Sequence, residues 1–138
     1  MNILNLKDKS VEEIKATLDK YLFDARQARV EEYSSKEDYG SSYGKTCAIP
    51  MIEIEGTPYK LSVQASSSHY CSPREDLQYV YEDVEIGFPN FNFSKEFIFK
   101  YAEDGEYPQD TVYGYVPMVE LAEELYLLVN YKGDINEY

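Results

Sequence analysis

Apolar positions recur at helical spacing near both ends of the chain and alternate with polar ones between. Val11, Ile14, Leu18 and Leu22 form one stripe, with Glu13, Lys20 and Asp24 on the opposite side. Ser10, followed three residues later by Glu13, matches a capping box, in which each residue satisfies an amide the first helical turn leaves open. These signals predict a helix over residues 10–31. On a wheel of about 100° per residue, Arg29 falls about 20° and Arg26 about 40° from Leu22. Both arginines therefore continue the apolar stripe, although cations also favour a helix C-terminus through the dipole.

Residues 34–45 (SSKEDYGSSYGK) read as a surface loop. A strand is predicted from Cys47 onward, with Ile52 and Ile54 inward and Glu53 and Glu55 on the solvated face. Gly56-Thr57-Pro58 marks a turn, and residues 59–65 form the return strand of a hairpin. There Tyr59, Leu61, Val63 and Ala65 alternate with Lys60, Ser62 and Gln64. A polar loop, SSSHYCSPRED, follows. Residues 79–88 predict another strand, ended by Pro89-Asn90. Phe91, Phe93, Phe97 and Phe99 then lead into a short helix or turn from Ser94, and residues 103–110 into an acidic loop. Residues 111–116 predict a fourth strand. Pro117 opens a second long helix through Met118, Leu121, Ala122, Leu125, Leu128 and Val129, closed by Gly133. The order α-β-β-β-β-α predicts the α+β class: an antiparallel sheet of about four strands packed by an N-terminal and a C-terminal helix.

The chain has 138 residues, the size of one domain (1–138), and a formal net charge of −13. Ten lysines and three arginines cannot give the broad basic surface that nucleic acid or an anionic membrane requires. No apolar run is long enough to span a bilayer, and the first residues lack a secretion signal, so a cytoplasmic location is expected. Two cysteines make no disulfide scaffold. A single histidine, His69, confines a Ser-His-Asp or Cys-His centre, or a zinc site with Cys47, Cys71 and one carboxylate, to its own neighbourhood. No Walker or dinucleotide glycine motif is present, and no cofactor is expected. Fifteen tyrosines and no tryptophan suit a recognition surface, because tyrosine joins broad apolar contact to a polar tip.

The densest polar cluster is His69-Tyr70-Cys71-Ser72-Pro73-Arg74. Hydroxyls, imidazole, amides and a guanidinium in one loop are suited to an anion such as phosphate, since the arginine fork pairs with two oxygens. An ordinary alternative is a turn in which Arg74 pairs with Glu75 or Asp76. Cys71 activated by His69 is a third option, without a clear orienting carboxylate or oxyanion hole. Phe91-Asn92 offers a stacking face and an amide for reading a base, against the usual core role of phenylalanine. Tyr113 and Tyr115 flank Gly114, which leaves room for close approach by another backbone or a ligand. Arg26, Arg29, His69, Tyr70, Ser72, Arg74, Phe91, Asn92, Tyr113 and Tyr115 are the candidate ligand-binding residues; no catalytic or metal set is assigned.

The segments SVQASSSHYCSPRED, VEIGFP and DTVYGYVP resemble a group of small proteins encoded by phages and prophages, over roughly residues 60 to 130. In size and setting the chain also resembles phage counter-defence proteins of the anti-Thoeris sponge type. That resemblance implies a compact α+β homo-oligomer that sequesters cyclic ADP-ribose or a cyclic nucleotide without cleaving it. It would make Arg26, Arg29 and Arg74 the phosphate partners, with nearby aromatics stacking on the bases. The competing expectation is an acidic inhibitor that imitates nucleic acid and blocks a basic groove of a CRISPR or restriction nuclease.

Overall fold

A computed structural model describes residues 2–34, 48–66, 69–75 and 79–131, with the side chains of 29–34 and 131 outside that set. The elements are β1 (Ile3–Leu4), α1 (Val11–Ser34), β2 (Ile52–Ile54), β3 (Lys60–Gln64), β4 (Asp83–Gly87), α2 (Lys95–Tyr101), β5 (Val112–Pro117) and α3 (Met118–Tyr131). The fold is α+β. Its sheet has five strands in the order β1-β2-β3-β4-β5, close to the expected four or so, and β1 runs parallel to β2 while all other pairs are antiparallel. With two residues, β1 is too short to show alternation. It exists through its neighbour: Glu53 N–H donates to the Asn2 carbonyl and Glu55 N–H to that of Leu4, both at 2.9 Å.

The capping box closes as the spacing requires. Ser10 N–H donates to Glu13 Oε1 at 2.8 Å, and Glu13 N–H to Ser10 Oγ at 3.2 Å. Those bonds hold the Glu13 carboxyl below its ordinary pKa. Lys15–Asp19 and Lys20–Asp24 pair one turn apart on the wetter side of α1. Ile14, Leu18, Tyr21 and Leu22 enter a core shared with Leu121, Leu125 and Leu128 of α3 and with Ile52, Ile54, Leu61, Val63, Val84, Ile86, Tyr113 and Val116 of the sheet. The opposite face of the sheet carries Glu53, Ser62, Gln64 and Glu85, the polar half of each alternation.

Two predicted strands are shorter than the pattern suggested. Before β2, Pro50 has no N–H for a ladder, and Ile49 instead exchanges both backbone bonds with the Gln64 carboxamide at 2.9 Å. Residues 79–82 stay outside β4, where Tyr79 stacks on Phe23 of α1 with ring centroids 4.4 Å apart. Gly56 takes the left-handed conformation (φ 78°) that closes the β2–β3 turn. Residues 35–45 of the expected loop 34–45, Cys47 and Gly133 lie outside the described residues. Among the described residues, no helix is long and apolar enough to cross a membrane.

Helix α2 is seated by a carboxylate from α3. Ser94 caps α2, and Glu124 accepts both Ser94 N–H (2.9 Å) and Ser94 Oγ–H (2.8 Å). Burial raises the Glu124 pKa despite these bonds, so its charged form is disfavoured in the folded state. Glu124→Ala leaves the Ser94 amide unanswered and is expected to lower stability by about 1–3 kcal/mol in urea denaturation. Glu124→Gln keeps an acceptor for the amide and carries no charge, so it should match the wild type near pH 7. As pH falls through the raised pKa the wild type should gain on that variant. A Gln variant as damaged as the Ala variant would contradict this account.

Candidate functional site

Residues 69–74 of the polar segment lie over the outer face of the sheet beside β4 and β5. Between Val84 and Ile86 the β4–β5 register shifts: β4 supplies Glu85 alone, while β5 supplies Gly114 and Tyr115. This is a β-bulge. Tyr115 takes the extra position with φ 52°, a left-handed conformation that costs a tyrosine about 1–2 kcal/mol. Its amide leaves the ladder and donates to the Tyr70 carbonyl at 3.0 Å. Tyr70 N–H in turn donates to Glu85 Oε1 at 2.8 Å. Gly114 then has a definite purpose: a Cβ there would lie 3.3 Å from the Tyr70 Cβ, so the missing side chain admits the tyrosine. One residue pair further, Ser72 bridges Asp83, with Ser72 N–H on the Asp83 carbonyl (3.2 Å) and Glu82 N–H on the Ser72 carbonyl (2.9 Å). Ser72 thereby occupies the position beside β4 that β3 vacates after Gln64.

On this base stand two exposed rings. Tyr70 and Tyr115 are 45% and 46% exposed and stack with centroids 5.8 Å apart at 27°. The exposed Arg74 guanidinium lies 5.8 Å from the Tyr70 centroid and, among the described residues, makes no ion pair. His69 is half-buried beneath, its Nδ1 2.6 Å from Ser66 Oγ. Burial, more than any neighbour, lowers the His69 pKa; Glu85 opposes this, and Arg26 and Arg74 reinforce it. Two of the three arginines therefore act on one imidazole. Arg26 does so from inside, being fully buried, in agreement with its place on the apolar stripe.

Five expected site residues, His69, Tyr70, Ser72, Arg74 and Tyr115, come together. Others are corrected. Arg26 has no exposed surface to meet a phosphate. Phe91 is buried, edge-on to Tyr59 and Phe93, because the aromatic run fills the core. Asn92 accepts from Gln109 Nε2 at 3.1 Å, and Asn90 beside it accepts the Lys60 amide at the beginning of β3, not its end. Tyr113 is fully buried on the helix-covered face, donating its hydroxyl to the Pro108 carbonyl at 2.6 Å, and burial pushes its pKa up. The Arg29 side chain lies outside the described residues. Cys71 is buried with its thiol toward the Ser66 and Pro73 carbonyls (3.3 and 3.4 Å), and burial raises its pKa, which opposes a thiolate nucleophile. Glu85 was not foreseen as part of the site. Its position opposite Gly114 follows from the bulge, which no residue pattern announces. No family model, curated protein or solved structure matches the chain.

Two consequences are measurable. Gly114→Val should push Tyr70 off the sheet and free the Tyr115 amide, raising its hydrogen-exchange rate about tenfold or more; an unchanged rate would contradict the clamp. Because the folded His69 pKa lies below the usual 6.5, protonation opposes folding, and the stability His69 contributes is lost as pH falls below that value. The melting-temperature advantage of wild type over His69→Gln should therefore shrink between pH 7.5 and 5.5 (on the order of one unit either side of the unperturbed value), and a constant gap would contradict it.

Proposed function

We propose that this chain captures a small phosphorylated nucleotide on the Tyr70–Tyr115 platform and does not cleave it. One observation carries the reading: two large rings are held side by side in water, on a backbone conformation that is itself unfavourable. Strain and apolar exposure concentrated at one spot favour a binding role over a packing role. Base–ring stacking contributes about 1–3 kcal/mol per base, and the planar fork of Arg74 suits phosphate oxygens. The exposed Arg74 guanidinium, without an ion pair among the described residues, supplies a local positive charge in a chain whose −13 would otherwise repel an anion. The buried thiol of Cys71, and the Nδ1 of His69 engaged with Ser66, favour retention over turnover.

The resemblance to sponge-type phage proteins extends this reading to a cyclic nucleotide or cyclic ADP-ribose signal, sequestered by a homo-oligomer inside the host cytoplasm. A second reading has its own support. Exposed Glu103, Asp104, Glu106 and Asp110 crowd one turn, as an acidic decoy for a basic nuclease groove would require.

A thermal-shift and calorimetry screen over cyclic mononucleotides, cyclic dinucleotides and cyclic ADP-ribose separates the two. A bound ligand at a hundredfold excess over Kd should stabilise by about 2.7 kcal/mol. Arg74→Ala and Tyr115→Ala should each remove the shift, and the ligand should be recovered intact after heating. Absence of any shift across the panel would overturn nucleotide capture. Salt-sensitive binding to a basic nuclease that ignores Arg74→Ala would favour the decoy.

A further inference from the structure

The groups beside the platform differ in kind from those that suit phosphate. Glu85 stands across the strand from Gly114 and Tyr115, and its two oxygens have different fates. Oε1 accepts the Tyr70 amide at 2.8 Å, whereas Oε2 has no hydrogen bond and is not sealed from solvent. Two residues earlier on the same face of β4, Asp83 Oδ1 is a buried acceptor with no partner. Neither carboxylate is neutralised by a described ion pair. A ring stacked on Tyr115, whose ring contact among the described residues is with Tyr70, would thus have the Glu85 carboxylate on the neighbouring strand and a guanidinium beyond Tyr70.

Acceptors choose among bases. Guanine presents two adjacent donors, the ring N1–H and the exocyclic amino group, which match a carboxylate. Hypoxanthine keeps N1–H but lacks the amino group. Adenine places a lone pair at N1, which a carboxylate repels. Resting on the nucleotide-capture reading, we infer that the site is selective for a guanine-type base, with Glu85 as the residue that sets the preference. A wrong base that covers the open Glu85 oxygen strips its water and offers no donor in return, which is the source of the discrimination.

The test uses 3′,5′-cyclic GMP, cyclic IMP and cyclic AMP as probes, with Kd measured by calorimetry on the full chain. The expected order is cyclic GMP, then cyclic IMP, then cyclic AMP, with about tenfold or more between first and last. Glu85→Gln is the informative variant. Its carboxamide oxygen can still accept the Tyr70 amide, so the loop stays anchored, but its NH2 cannot accept from guanine. In that variant the three affinities should converge to within about twofold, with melting temperature and Tyr70 amide exchange unchanged as controls on the fold. Equal affinities in the wild type would overturn the base preference while leaving nucleotide capture standing. A preference that survives Glu85→Gln would overturn the role of Glu85. Failure of all three nucleotides to bind, together with a silent wider panel, would overturn capture itself and the preference with it.

Discussion

The reciprocal pair of hydrogen bonds around Tyr70 is the constraint on which the site depends. Its carbonyl receives the amide that the bulge expels from β5, and its own amide is held by Glu85 of β4. A regular ladder at this point would spend the Tyr115 amide within the sheet and carry a side chain at position 114 into the loop. The extra residue prevents both. It turns an edge strand into a mount for residues 69–74, which are fixed also by the Ser72–Asp83 bridge and by the contacts of His69 and Cys71 with Ser66. The left-handed backbone at Tyr115 is an unfavourable local state that the neighbouring contacts must hold in place.

Charge is arranged to the same end. The protein carries −13 overall, yet Arg26 and Arg74 act on His69 from opposite environments, one buried in α1 and one at the surface. The surface guanidinium can meet a ligand directly. The buried one cannot, having no exposed surface. The outer face of the sheet thus presents a guanidinium, two rings and the open oxygen of Glu85 in a short span, whereas the helix-covered face is given over to packing.

The helices were legible because their physics is local. The capping box, the apolar spacing of α1 and α3, and the Ser94 cap of α2 all concern residues within a turn or two of each other. The burial of Arg26 could likewise be read from the wheel. What could not be read depended on partners distant in sequence. Strand β1 has two residues and is defined by β2, some fifty positions later in the chain (about that separation is beyond any local pattern). The bulge arises from a register between β4 and β5. Phe91 and Tyr113 had the right chemistry for stacking, but the core took them, as it takes most large rings near a sheet. Tyr115, one residue beyond Gly114, was left outside only because the bulge turned it there. Gly114 itself was legible as a point of close approach, and Tyr70 proves to be what approaches.

The most direct test of the platform is NMR on protein carrying ring-labelled tyrosine, titrated with a bound cyclic nucleotide. Stacking against Tyr115 predicts ring-current shifts of the Tyr115 and Tyr70 resonances, saturating with the same Kd found by calorimetry, while buried Tyr113 stays in place. Movement of other tyrosines with Tyr70 and Tyr115 unperturbed at saturation would contradict the account and put the binding surface elsewhere.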